Sequence, residues 1–142
     1  METEPGERGL VSVPSSDGRP ARQRLLVADD GPPGRATLAD AVRRLRPAAE
    51  VISARNTDEA LGALAMQRID LILIDFSRPG ADGVELAALI RRTRNAAPIA
   101  IASSQGDAVM RAHDLQAVFL QNPISDEALA AFLSRAELQL DH

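Results

Sequence analysis

Short aliphatic runs recur along the chain, and each is followed by a segment with apolar residues at helical spacing. Leu25-Leu26-Val27-Ala28 precedes Leu38, Ala41, Val42 and Leu45; Val51-Ile52 precedes Leu61 and Leu64; Leu71-Ile72-Leu73-Ile74 precedes Leu86, Leu89 and Ile90. Ile99-Ala100-Ile101-Ala102 leads to a short helix from about Gly106, and Ala117-Val118-Phe119-Leu120 leads to Leu129, Phe132, Leu133, Ala136 and Leu140. Runs this short and this apolar do not alternate as a half-exposed strand would, so all five are expected to be buried on both faces. Five strand and helix pairs of this kind specify an α/β fold: a doubly wound, five-stranded parallel sheet with helices on both faces.

Helix starts are marked by Asn56 with Glu59, by Asp82 with Glu85, and by Ser125 with Asp126 and Glu127; in each, a capping side chain is followed within three residues by a carboxylate. Residues 1–23 mix Gly, Pro, Ser and charges of both signs without apolar periodicity, which predicts a disordered tail before a domain over 24–142. A length of 142 residues predicts one such domain, with a separate DNA-binding or catalytic module not expected within it.

Composition removes several chemistries. Only 2% of the residues are aromatic, so the core must be aliphatic and no platform exists for stacking bases. Net charge is −4, which argues against direct nucleic-acid binding and for a protein partner. Without Cys there is no disulfide, thiolate metal site or cysteine nucleophile, and two distant histidines, His113 and His142, make no imidazole site. All sixteen basic residues are Arg, so lysine chemistry is absent as well. An acidic start, Met1-Glu2-Thr3-Glu4, and the lack of any apolar run near ~18 residues predict a cytoplasmic protein with no membrane segment.

In a parallel sheet, ligands gather where the strands end at their carboxyl termini. The strand pattern places Asp29 and Asp30, Asp75, Ser103, and Asn122-Pro123 there. If the first, third, fourth and fifth strands are neighbours, three carboxylates share one pocket. Two such charges about 4 Å apart repel by roughly 4 kcal/mol at an effective dielectric of ~20, a conflict that a hard divalent cation resolves. Mg²⁺, or Mn²⁺ in its place, is the expected ion.

Leu25-Leu26-Val27-Ala28-Asp29-Asp30, Leu71-Ile72-Leu73-Ile74-Asp75 with Pro79 and Asp82-Gly83, and Pro98-Ile99-Ala100-Ile101-Ala102-Ser103 together resemble a bacterial two-component response-regulator receiver domain. The run from Asp29 to Pro32, with Arg35 and with Leu45-Arg46-Pro47 before Glu50-Val51, is similar to receivers that precede LuxR-type outputs. The resemblance implies a flavodoxin-like fold in which Asp75 is the phosphoacceptor. It also implies that Asp29 and Asp30 bind the metal with Asp75 and the Ser77 backbone carbonyl, that Ser103 meets the phosphoryl group, and that Phe119 is the switch aromatic. The implied partners are a sensor histidine kinase or phosphotransfer protein and an unknown downstream protein, with a homodimer as a further possibility.

Three features depart from the family pattern. Asn122 stands where the family has Lys, Arg78 stands where an apolar residue is usual, and the stretch from Ser103 to Asn122 is about three residues short, which clips the fourth helix. The sequence therefore also admits a degenerate receiver that acts as a phosphorylation-independent interaction module. Enzyme readings are weaker. Gly31 to Thr37 lacks the glycine spacing and lysine of a phosphate-binding loop, and a haloacid-dehalogenase-type phosphotransferase needs a second Asp where Ser77 stands. The chain is thus expected not to be an enzyme beyond accepting phosphate on Asp75. His113 reads as a partly exposed histidine, and Arg43-Arg44 and Arg91-Arg92 read as solvated helix faces.

Overall fold

A computed structural model describes residues 23–31, 34–76 and 82–140. Residues 1–22 of the expected tail, Ser77, Arg78 and His142 lie outside the described residues. Ten elements alternate along the chain: β1 (Arg24–Asp29), α1 (Gly34–Leu45), β2 (Glu50–Ala54), α2 (Thr57–Met66), β3 (Leu71–Asp75), α3 (Gly83–Arg92), β4 (Ile99–Ser103), α4 (Ala108–Asp114), β5 (Val118–Gln121) and α5 (Asp126–Leu140). The strands form one parallel sheet in the order β2-β1-β3-β4-β5.

Strand alternation divides the core into two layers. Leu26, Ala28, Ile72, Ile74, Ile99 and Ile101 face Ala60 of α2, Leu86 and Ile90 of α3, and Ala108 and Ala112 of α4. Their neighbours Leu25, Val27, Leu71, Leu73, Ala100 and Leu120 face Leu38 and Val42 of α1 and Leu129, Phe132 and Leu133 of α5. Each fully buried Leu or Ile contributes about 1.5–3 kcal/mol, which makes β1, β3 and β4 the rigid centre of the molecule. The outer strands differ from expectation: Val51 and Ile52 in β2, and Val118 and Phe119 in β5, are only half-buried. A strand at a sheet edge has a neighbour on one side only, so its side chains keep one open flank.

The predicted helix starts are built as read. Asn56 Oδ1 accepts from the Glu59 N–H at 2.9 Å, and Glu59 reaches back to the Arg55 N–H at 2.8 Å. Asp82 Oδ1 accepts from the Val84 and Glu85 N–H groups, and Ser125 Oγ from the Ala128 N–H. Gly83 follows the Asp82 cap because α3 lies tightly on the sheet: a Cβ there would sit 2.9 Å from Ile74 Cγ2 and 3.5 Å from Ile101 Cγ2.

The fourth helix is short, as expected, at seven residues, and it begins at Ala108 rather than near Gly106. Its C-terminal end is tied down by a residue that the sequence places on a solvated face. Arg91 is half-buried and donates to the carbonyls of Asn95 and Ala97 through Nη1, Leu115 through Nε and Gln116 through Nη2, at 2.9–3.3 Å. One guanidinium thus joins the end of α3, the turn into β4 and the turn into β5. Arg94 and Gln116, which follow the caps of α3 and α4, hold positive φ angles of 65° and 58°, the left-handed conformation in which helices commonly end.

Hydrogen bonds from a charged donor contribute about 1.5–3 kcal/mol when well formed, and orphaned carbonyls add to the loss. Arg91→Ala is expected to lower unfolding stability by about 2–4 kcal/mol in urea titrations, and Arg91→Lys to recover less than half of it, because an ammonium cannot reproduce the planar fork.

Candidate functional site

Parallel register brings the carboxylates to one place. β1 and β3 pair from Leu25↔Leu71 through Asp29↔Asp75, so two strands deliver an Asp each, side by side, at their carboxyl ends. Asp29 and Asp30 are only 4% and 7% exposed, an unusual position for carboxylates. Asp29 Oδ1 accepts from the Gly31 N–H at 2.9 Å, which bends the chain away from the strand end.

Asp75 is half-buried, and its Oδ1 accepts from Asn122 Nδ2 at 2.8 Å. Burial pushes its carboxyl above the ordinary range, the charges of Asp29 and then Asp30 push the same way, and the Asn122 hydrogen bond opposes them. Asn122 arrives from the fifth strand: its N–H donates to the Ser103 carbonyl at 3.0 Å, just beyond the Ser103↔Gln121 pairing of β4 and β5. Ser103 Oγ accepts from the Gln105 N–H at 3.0 Å, which leaves the hydroxyl proton available to a ligand. Phe119 lies against the α2/α3/α4 side of the core, opposite Ile101 in the register, so it occupies the same sheet face as Ser103.

The structure therefore brings Asp29, Asp30, Asp75, Ser103 and Asn122 to one edge of the sheet. Among the described residues no three acidic side chains converge as a metal-holding group, although Asp29 and Asp30 act electrostatically on Asp75. Asp29 and Asp75 each have one oxygen engaged, by the Gly31 N–H and the Asn122 amide. The Ser77 carbonyl, the fourth expected ligand, and Arg78 lie outside the described residues. The donor set is nevertheless all oxygen and crowded with like charge, and it suits a hard divalent cation that keeps several waters.

Two contacts are not legible in the sequence. The Asn122–Asp75 hydrogen bond depends on how β5 ends, and the ion pair between Arg111 Nη2 of α4 and Asp82 Oδ2, at 3.1 Å, depends on how α4 lies on α3. Burial alone would raise the Asp82 carboxyl, but the Glu85 N–H, Arg111 and the Val84 N–H hold it below the ordinary range. His113 is exposed, as read. No helix of the described residues is long and apolar enough to cross a membrane.

Residues 25–134 match the family model of the response regulator receiver domain. The chain belongs to this family. It is 30% identical over 119 residues to the positive alginate biosynthesis regulatory protein of Pseudomonas aeruginosa, covering 79% of this chain and 46% of that protein. It is also 30% identical over 112 residues to the cyclic di-GMP phosphodiesterase response regulator RpfG of Xanthomonas campestris, covering 75% and 30%. The chain thus spans less than half the length of these relatives. Among solved structures it resembles the chemotaxis response regulator CheY4 of Vibrio cholerae, with TM-score 0.68 and 22% identity over 82% of this chain and 99% of that one. A Thermotoga maritima response regulator, solved in complex with Mg²⁺ and beryllofluoride, superimposes with TM-score 0.69 and 23% identity over 80% and 98%. The receiver is a flavodoxin-like domain of two-component signalling, and such domains work with histidine kinases or phosphotransfer proteins.

Because ionised Asp75 is disfavoured by burial and by Asp29, removing its charge relieves the folded state. A raised carboxyl favours folding below the ordinary carboxylate range, and that contribution is lost as pH rises through the folded value. Asp75→Asn is therefore expected to raise the unfolding midpoint by a few degrees at pH 7 in a chelating buffer, with the difference vanishing near pH 3. Thermal melts of both proteins across that range check it.

Proposed function

We propose that this receiver accepts a phosphoryl group on Asp75 from a phosphohistidine of a sensor kinase or phosphotransfer protein, with Mg²⁺ or Mn²⁺ bound beside it, and signals by contact with a downstream protein. The observation that carries the reading is the Asp75 carboxylate at the end of a buried strand, in register with Asp29 and hydrogen-bonded by Asn122. Asn122 occupies Oδ1, so Oδ2, which has no hydrogen bond among the described residues, is the nucleophile. As the Oδ2–P bond forms, the P–N bond of the phosphohistidine breaks, and the imidazole nitrogen leaves with the electron pair and takes a proton.

Asp29 and Asp30 would hold the metal together with Asp75 and the Ser77 carbonyl. When bound, the ion offsets negative charge on the transferring group. The Ser103 hydroxyl donates to a phosphoryl oxygen, and Phe119, on the same sheet face, follows the movement of Ser103. Asn122 supplies a neutral hydrogen bond of about 0.5–1.5 kcal/mol where a charged one is worth about 1.5–3, so coupling from Asp75 to Ser103 is weakened. The chain acts as a phosphate acceptor and carries no further enzymatic activity in this reading. It functions in the cytoplasm, where such donors reside.

Incubation with Mg²⁺ and acetyl phosphate followed by intact mass is the test. Wild type is expected to gain one phosphoryl group and Asp75→Asn none; an unmodified wild type, or equal labelling of the variant, overturns the reading. Asn122→Lys is expected to enlarge the phosphorylation-dependent NMR shifts of Ser103 and Phe119 beyond those of wild type.

A further inference from the structure

A dianionic phosphoryl group on Asp75 would stand beside Asp29 and Asp30 in a chain without lysine, and Asn122 brings it a dipole but no charge. The position of the described arginines narrows the choice of a countercharge. Arg24 opens β1, Arg43 and Arg44 end α1, and Arg91 and Arg92 end α3, all toward the amino edge of the sheet, away from Asp75. Arg55 is at the carboxyl edge but follows β2, which β1 separates from β3, and Glu59 holds its guanidinium at 2.7 Å. Arg35 is in the first turn of α1 at the same edge, but α1 packs on the sheet face opposite the one that carries Ser103 and Phe119.

Arg111 is placed differently. Its Nη2 meets Asp82 Oδ2, and Asp82 precedes Gly83, whose Cα packs so closely on Ile74 that a Cβ would lie 2.9 Å from that side chain. Ile74 precedes Asp75. The Arg111–Asp82 pair therefore sits at the carboxyl edge of the sheet, where α3 begins, on the side of the α3 and α4 layer that also carries Ser103 and Phe119. Among the described residues its guanidinium makes one exposed ion pair, the kind that exchanges readily in water.

Resting on the phosphoacceptor reading above, we propose that Arg111 is the countercharge of phosphorylated Asp75: its guanidinium leaves Asp82 and pairs with the phosphoryl oxygens, in place of the family lysine. A guanidinium matches a phosphoryl group with two parallel hydrogen bonds, against one contact to Asp82. The C-terminal end of α4 is fixed by Arg91 through the Leu115 and Gln116 carbonyls. The exchange therefore pivots the helix about that end and carries the exposed Val109 and Met110 with it.

Beryllofluoride with Mg²⁺, a phosphoryl mimic, provides the test by calorimetric titration and by NMR of α4. Arg111→Gln is expected to weaken its binding about tenfold, and Arg111→Lys to recover part of the loss. Asp82→Asn, which keeps a capping side chain but frees Arg111, is expected to bind more tightly than wild type and to show α4 shifts toward the bound state. In an Asn122→Lys background, Arg111→Gln is expected to have no effect on affinity. Binding by Arg111→Gln within twofold of wild type overturns the proposal, as does an equal loss in the Asn122→Lys background or a loss seen with Arg78→Gln instead. If neither wild type nor Asn122→Lys binds beryllofluoride while both remain folded, the phosphoacceptor reading falls and this one with it.

Discussion

The pairing of β1 with β3 sets the terms for everything else in the molecule. Two buried aliphatic strands run parallel and end level, and each terminates in a carboxylate, so correct folding itself drives like charges together at Asp29 and Asp75. The hydrophobic gain from Leu25, Leu26, Leu71, Ile72, Leu73 and Ile74 accrues along the whole strand, whereas the electrostatic cost is confined to its last residue. A sheet with a weaker centre would slip in register or fray to relieve it. Here the register is held on both faces by the two core layers, and a shift of one residue would exchange every side chain between them.

That stored repulsion makes the site receptive to cationic or polar partners. The chain meets part of it locally, with the Gly31 N–H on Asp29 and the Asn122 amide on Asp75. Both are neutral donors. They orient the carboxylates without adding positive charge of their own, which is the setting in which the proposed divalent ion and guanidinium would act. An all-arginine basic inventory bears on this point, since arginine delivers charge through a broad planar group held at the end of a long stem and does so from elements farther away than a strand-end lysine would occupy.

The fold was legible because its signal is repetitive: five aliphatic runs alternating with amphipathic helices admit few arrangements of the chain. The carboxyl-edge residues were legible for the same reason, as strand ends are fixed by the runs preceding them. What escaped was whatever depends on packing between elements distant in sequence. Nothing in Arg91-Arg92 distinguishes an arginine that caps four carbonyls from one that points into water, because its partners are main-chain atoms at residues 95, 97, 115 and 116. Nor does the sequence show that Arg111, on a seven-residue helix, meets the cap of α3. The half-exposure of β2 and β5 is equally illegible, because apolar character alone does not reveal which strands lie outermost.

Since the Arg91 clamp addresses carbonyl oxygens and no side chains, it is indifferent to what residues 95, 97, 115 and 116 are, provided the backbone keeps its path. Those positions answer to other constraints, since Ala97 and Leu115 pack against the core and Asn95 Oδ1 accepts from the Ala97 N–H, but the clamp adds none of its own. The spacing of α3 and α4 is thus set by main-chain geometry, and it can persist while exposed side chains around their ends change.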